Sequence, residues 1–168
     1  MTKHLILFRH GKSDWEASFS CDHDRPVAER GMVAARAMGK LLAAADWVPD
    51  LAITSSAVRA RTTLELAMAA GQWQCPVQVA DCLYEASVED VLAVIHQAPD
   101  PCNCLLLVGH EPTWSDTASS LLGGATVQVP TAALVGLEFE VETWPQVEPR
   151  CGTLLWLLPP KLLTPSLV

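Results

Sequence analysis

Two uninterrupted apolar runs, Leu5-Ile6-Leu7-Phe8 and Leu105-Leu106-Leu107-Val108, each lead directly into a histidine. Arg9-His10 follows the first and Gly109-His110 the second. A strand that is apolar at every position buries both of its faces, as happens where helices cover both sides of a parallel sheet. Neither run approaches the roughly 20 apolar residues of a membrane-spanning helix.

Strands and helices are predicted to alternate along most of the chain. Strands are read at 4–8, 51–54, 77–79 and 104–108. A helix is read over 29–46, where Val33, Ala37, Leu41 and Ala44 recur near helical spacing ahead of Pro49. A second covers 57–70 and is stopped by Gly71. A third runs from Ser87 to about 97, with Ser87 as N-cap and Asp90 three residues on as a partial capping box. A fourth covers 113–122 and is closed by Gly123-Gly124. Residues 12–27 read as one long polar loop. After residue 122 the rhythm changes: 134–141 and 153–158 form an antiparallel pair around a polar segment near Trp144. The tail from about 159, with Pro159, Pro160 and Pro165, reads as irregular. The fold class that follows is α/β, a single domain over 1–168. It is a three-layer sandwich with a mostly parallel central sheet, helices on both faces and an antiparallel C-terminal edge.

Such sheets bind ligands at the carboxyl ends of their strands. Arg9 and His10 end the first strand; Ser55, Ser56 and Arg59 follow the second; Glu85 follows the third; His110 follows the fourth. Four segments are therefore expected to converge on one edge.

Composition narrows the class of function. The formal charge is −8, from 11 Lys and Arg against 19 Asp and Glu. That argues against nonspecific binding to nucleic acid or to an anionic membrane, and a compact arginine cluster stands out against it. The N-terminal run is broken by Arg9 and lacks the long apolar region and cleavage site of a signal peptide. A cytoplasmic protein is expected, and its six cysteines read as reduced core or loop thiols.

A phosphoryl-transfer site needs cations for the equatorial oxygens, a nucleophile in line with the leaving group and often an acid for that group. Arginine suits the first role through its bidentate fork. Neutral imidazole suits the second near pH 7. The run Leu7-Phe8-Arg9-His10-Gly11-Lys12-Ser13 resembles the Arg-His-Gly signature of the histidine phosphatase (phosphoglycerate-mutase-like) superfamily. Ser56 to Thr63 resembles its Ser-x-x-Arg-Ala-x-x-Thr motif, and Gly109-His110-Glu111-Pro112 its Gly-His-x-Pro motif. Asp24-Arg25-Pro26-Val27 through Gly31 looks like the Asp-Arg-Pro-Leu-x-x-x-Gly stretch of the phosphohistidine phosphatase (SixA-type) branch, with Val27 in place of leucine.

The resemblance implies that His10 becomes phosphorylated, that Arg9 and Arg59 hold the phosphoryl oxygens, and that His110 donates to the phosphoryl group. It implies that Arg25 joins the pocket, and that no metal ion or other cofactor is needed. Glu85 sits in about the region of the general acid of larger family members; otherwise it caps the next helix or faces solvent. Phosphohistidine needs less help from such an acid, because imidazole leaves more readily than an alkoxide.

Other readings stand beside these. Arg25 either binds phosphate or pairs with Asp22 or Asp24. Lys12 either reaches phosphate or faces solvent. Ser55 and Ser56 either assist a phosphate or cap the following helix, with capping favoured. Trp15 either lines the pocket mouth or packs the loop. The expected substrate is a phosphorylated protein, such as a histidine-carrier domain, because a chain of this length has little room for an inserted lid. A small phosphomonoester is the alternative. A phosphate-recognition module without turnover has no need of both His10 and His110. A metal site on those two histidines lacks a third ligand in either motif.

Overall fold

The computed structural model describes residues 1–163. Six strands form one sheet: β1 (Lys3–Arg9), β2 (Leu51–Ser55), β3 (Val77–Ala80), β4 (Cys104–Gly109), β5 (Leu134–Phe139) and β6 (Gly152–Leu158). Their order is β3-β2-β4-β1-β5-β6. The first four in that order are parallel, β5 is antiparallel to β1, and β6 is antiparallel to β5. The mostly parallel sheet with an antiparallel C-terminal edge is thus the architecture expected from sequence.

The side-chain alternation of a strand divides the core into two layers. Leu5, Leu7, Leu105 and Leu107 face one side, where they pack with Val91 and Ile95 of helix α3 (Val88–His96) and with Trp114, Ala118 and Leu121 of helix α4 (Thr113–Leu121). Ile6, Phe8, Leu106 and Val108 face the other. There they meet Met38 and Leu42 of helix α1 (Glu29–Ala44) and Ala60, Leu64 and Ala67 of helix α2 (Val58–Gly71). All eight strand side chains are fully buried. At ~1.5–3 kcal/mol for each large apolar side chain removed from water, β1 and β4 are the anchor on which the site stands.

Several boundaries differ from the sequence reading. Helix α1 ends two residues early, and Asp46 has a positive φ of 58°. Gly71 does not stop α2 but ends it from within. Gln72 takes the left-handed cap position, with φ of 55°. A Cβ at Gly71 would lie 2.4 Å from the Trp73 ring, so close packing accounts for the glycine. The segment around Trp144 is not simply polar: Trp144 is fully buried and donates its indole N–H to the Cys102 carbonyl at 2.8 Å. The Ser87–Asp90 capping box forms in full: Ser87 Oγ accepts from Asp90 N, and Asp90 Oδ2 accepts from Ser87 N. In the tail, Pro160–Leu162 form a 3-10 turn, while Pro165 lies outside the described residues. Among the described residues no helix is long and apolar enough to cross a membrane.

Candidate active site

The parallel register pairs Arg9 with Gly109 and Thr54 with Val108. The next residue on each strand or its loop is therefore His10, His110 or Ser55, and the three meet at the carboxyl edge of the sheet. Small residues make this possible. A Cβ at Gly109 would fall 2.2 Å from the Trp114 ring, and one at Gly11 would fall 2.7 Å from the Gly31 carbonyl oxygen. Glycine at these positions lets the end of β4 pack on Trp114 and the turn after β1 pack on the backbone of Gly31.

His10 is 8% exposed and its backbone is held on both sides. Its N–H donates to Gly109 O at 3.0 Å, and its carbonyl accepts from Ala132 N at 3.1 Å. The ring lies with Nδ1 at 2.7 Å from Gly11 O. A carbonyl oxygen only accepts, so Nδ1 carries the proton and Nε2 carries the lone pair. The turn is fixed in its own right: Gly11 N–H donates to Thr63 Oγ1 at 2.9 Å, and Thr63 Oγ1 donates to Arg59 O at 2.7 Å. The threonine of the second motif thereby ties α2 to the turn that orients His10. Burial lowers the His10 pKa to about 4. The Gly11 hydrogen bond opposes this, and the charges of Arg59, Arg9 and Arg25 add to it. The imidazole is neutral at pH 7.

His110 lies beside it, with ring centroids 5.1 Å apart. Its Nε2 is 2.7 Å from Ser55 Oγ, and Ser55 Oγ also accepts from Ala57 N at 3.3 Å. Nε2 is the one acceptor within reach of the buried Ser55 hydroxyl among the described residues, so the hydroxyl is assigned as donor to Nε2, which leaves the proton on Nδ1. Burial, followed by the proximity of His10 and Arg59, lowers the His110 pKa to about 3.

Three arginines surround the pair. Arg9 Nη1 donates to Val129 O at 2.9 Å. Arg25 donates from Nε and Nη2 to Asp22 Oδ1, at 3.1 and 2.9 Å. Arg59 donates from Nη1 to Asp22 O at 2.7 Å and from Nη2 to Asp22 Oδ2 at 3.0 Å. Tyr84 Oη donates to Asp22 Oδ2 at 3.0 Å, and the Trp15 ring lies 3.7 Å below the Arg25 guanidinium. Asp22 therefore grips both guanidinium groups. Burial resists its ionisation, but the Arg25, Tyr84 and Arg59 contacts outweigh that and bring its pKa down to about 2.

Arg9, His10, Arg25, Arg59 and His110 line one cavity of about 230 Å³, together with Lys12, Ser13 and Trp15. Six buried side-chain polar atoms lack a partner among the described residues, and four of them are on residues that line this cavity: Arg9 Nε, Arg59 Nε, His110 Nδ1 and Ser13 Oγ. An unpaired buried donor costs ~1–3 kcal/mol. Concentrating such donors beside cations in one cavity is the arrangement of an anion site.

Glu85 does not join this group. It is exposed, has a φ of 55°, and is absent from the cavity wall. Its neighbour Tyr84 turns in instead and meets the His110 ring edge-on at 5.8 Å. The carboxylate that does line the cavity is Glu111, which accepts from Ser115 N at 2.9 Å and from Ser115 Oγ at 2.5 Å. Ser55 and Ser56 do not cap α2: its N-cap is Ala57, with no side-chain cap bond. Ser56 instead meets His23 Nε2 at 3.0 Å. Asp22, Glu111, Tyr84 and Thr131 were not singled out as site residues from sequence; Asp22 appeared there only as a salt-bridge partner. Among the described residues no group of three or more His, Cys, Asp or Glu is placed to hold a metal ion.

The same fold recurs in known proteins. The histidine phosphatase superfamily (branch 1) matches residues 5–111. An uncharacterised protein of Mycobacterium tuberculosis is 33% identical over 156 residues, covering 88% of this chain and 96% of its own length. Among solved structures, the candidate phosphohistidine phosphatase SixA of Nakamurella multipartitia superposes with a TM-score of 0.84 at 26% identity, over 95% of this chain and 97% of that one. The Agrobacterium tumefaciens counterpart gives 0.79 at 26% identity, over 94% and 97%. With two histidines and three arginines gathered at the carboxyl edge of a sheet that these proteins share, the chain belongs to the histidine phosphatase superfamily and is of the SixA type.

Proposed function

We propose that this protein is a phosphatase that takes a phosphoryl group onto His10 Nε2 and passes it to water, and that its substrate is phosphohistidine displayed on a protein. One observation carries the reading. The Gly11 carbonyl holds the His10 proton on Nδ1, so the nucleophilic lone pair belongs to Nε2, in a cavity lined by Arg9, Arg25 and Arg59.

In the first step the Nε2 lone pair forms a bond to phosphorus as the bond to the substrate nitrogen breaks, and the departing imidazole takes a proton from solvent. Arg9, Arg25, Arg59 and His110 Nδ1–H hold the equatorial oxygens, where charge accumulates. In the second step water oxygen bonds to phosphorus as the P–Nε2 bond breaks. The electron pair of the broken bond returns to Nε2 and the proton of the water goes to a phosphate oxygen or to solvent, which restores His10 neutral with its proton on Nδ1. The arginines supply the charge compensation, so no metal ion takes part; activity in the presence of a chelator tests that point.

The dimensions favour a phosphoryl group on a large molecule. About 230 Å³ is below the ~300–1,000 Å³ of pockets that enclose a whole small ligand. The phosphoryl group fills it and the carrier stays outside. A small phosphomonoester is the second reading, favoured by the Glu111 carboxylate in the cavity wall, since an alkoxide leaving group gains more from a nearby acid than imidazole does.

The test is to incubate the protein with a phosphorylated histidine-carrier protein, quench, and assay for acid-labile, alkali-stable phosphate on the enzyme, with His10→Ala alongside. Label on the wild type only, with loss of label from the carrier, is the expected result. No turnover of the carrier, with His10-dependent turnover of an aryl phosphate, moves the substrate to small esters. No turnover of either, with phosphate still bound, leaves a recognition module.

A further inference from the structure

A second cavity, of about 180 Å³, adjoins the first, and Lys12 and Thr131 line both. Its remaining walls come from the first turn of α1 at Arg30, from Pro130 ahead of β5, and from the C-terminal segment at Pro159 and Lys161. Lys12, Arg30 and Lys161 are all exposed, and none forms an ion pair with a described residue.

This placement runs against composition. Acidic residues outnumber basic ones 19 to 11, and what marks these cations is their grouping, because among the described residues only Arg25 and Arg59 of all the Lys and Arg form an ion pair. Six of the 11 cations line these two cavities: Arg9, Lys12, Arg25 and Arg59 the first, and Lys12, Arg30 and Lys161 the second. Asp22 offsets charge on Arg25 and Arg59, while among the described residues no carboxylate lines the second cavity. Cations that line one cavity repel one another, and an anion among them relieves that cost.

We propose that the second cavity is an anion subsite that takes an acidic group, carboxylate or phosphate, of the same substrate whose phosphoryl group lies against His10. The inference rests on the phosphatase reading and narrows its substrate class. Lys12, common to both cavities, bridges the two charges, and the proline walls accept the carbon skeleton between them. In a phosphoprotein the acidic group is an Asp or Glu side chain beside the phosphohistidine. In a small ester it is a carboxylate of the same molecule.

Calorimetric binding tests this independently of turnover. One ligand pair is a peptide carrying a stable phosphonotriazole mimic of phosphohistidine, flanked by Glu or by Gln. The other is 3-phosphonopropionate and propylphosphonate. Each pair is measured on the wild type and on the Arg30→Gln/Lys161→Gln double variant, whose substituted positions are exposed and outside the catalytic cavity. The wild type is expected to prefer the acidic member of a pair by about tenfold. The variant should lose that preference while its affinity for the neutral member and its melting temperature stay unchanged. Preference within the peptide pair assigns the subsite to a protein substrate, and preference within the small pair assigns it to a small one. Equal affinities within both wild-type pairs, or a preference that survives in the variant, overturns the subsite. Hydrolysis of 4-nitrophenyl phosphate, measured alongside, reads the phosphatase reading by itself. Its absence in the wild type would count against turnover while leaving the binding result to decide the subsite.

Discussion

Ser55 Oγ stands 2.7 Å from His110 Nε2 while accepting a hydrogen bond from Ala57 N. This pairing determines which His110 nitrogen carries the proton. With the hydroxyl proton committed to Nε2, the buried Nδ1–H has no acceptor among the described residues, and in the proposed reaction it would donate to a phosphoryl oxygen. Ser55→Ala removes the group that fixes the tautomer. It is expected to lower kcat by about tenfold or more, the cost of losing one buried hydrogen-bond partner, with a smaller effect on KM. Ser55→Thr should restore most of the loss. The ¹⁵N shifts of the His110 ring report the tautomer directly, and an unaltered tautomer together with unaltered kcat in Ser55→Ala would remove the positioning role.

Asp22 makes a second relationship of this kind, because it holds the guanidinium groups of both Arg25 and Arg59. Its carboxylate repels an incoming phosphate but fixes two long side chains that would otherwise lose rotamer freedom on binding, at ~1.5–2 kcal/mol each. Positioning is expected to outweigh repulsion. Asp22→Ala should reduce kcat/KM about tenfold, mainly through KM, and Arg59→Ala should reduce it further, through both terms, by about 100-fold. Steady-state kinetics with far-ultraviolet circular dichroism as a fold control makes the comparison. An Asp22→Ala enzyme that bound substrate more tightly would show that the carboxylate competes with phosphate rather than preparing the site for it.

The parts of this molecule that were legible in sequence are those encoded by local periodicity or by adjacency to a strand end. Continuous apolar runs gave β1 and β4, and the Ser87–Asp90 spacing gave a capping box that forms as expected. His10, Arg9, Arg59 and His110 were identified because each follows a strand, and Arg25 because its motif was recognisable; all five line one cavity. What could not be read depends on long-range register. Ser55 meets His110 across 55 residues, and Arg59 meets Asp22 across 37. Neither pairing leaves a trace in local spacing. The same limit explains Glu85 and Gly71. Glu85 follows β3 at about the right interval, but its left-handed backbone and its exposure place Tyr84 against His110 instead. A glycine near a helix end looks like a stop signal, yet Gly71 serves close packing against Trp73 and Gly39.

The two carboxylates are separable by experiment. Glu85 is exposed and outside the cavity wall, whereas Glu111 is within it. Glu85→Gln is expected to leave kcat/KM within twofold of the wild type on every substrate. Glu111→Gln should lower turnover of an alkyl phosphate about tenfold or more and turnover of phosphohistidine much less, because imidazole needs little help to leave. Equal losses on both substrates would assign Glu111 to holding Ser115 in place rather than to the leaving group. A loss confined to Glu85→Gln would return the acid to the position that the family resemblance suggested.

Acid should act on activity and stability in different pH windows. Burial holds the His10 pKa at about 4 and that of His110 at about 3, against 6.5 for a free histidine. A solvated histidine nucleophile would lose activity as pH falls through 6.5. Here kcat/KM, which reports the free enzyme, should stay level down to about pH 5 and fall near 4, once corrected for ionisation of the substrate itself. Stability follows the opposite member of the equilibrium. Below pH 6.5 the unfolded chain binds protons at these two histidines while the folded chain does not, so folding free energy is lost as pH falls from 6.5 towards 4. Asp22, ionised down to about pH 2 in the fold, adds a further loss in the same direction below the ordinary carboxylate pKa. Urea denaturation from pH 7 to 4.5 should show a midpoint that drops steadily with pH, and His110→Gln should remove part of the slope because the substituted side chain cannot titrate. A midpoint independent of pH across this range, or an acid limb of kcat/KM centred at 6.5, would mean that the histidines are far better solvated than their burial indicates.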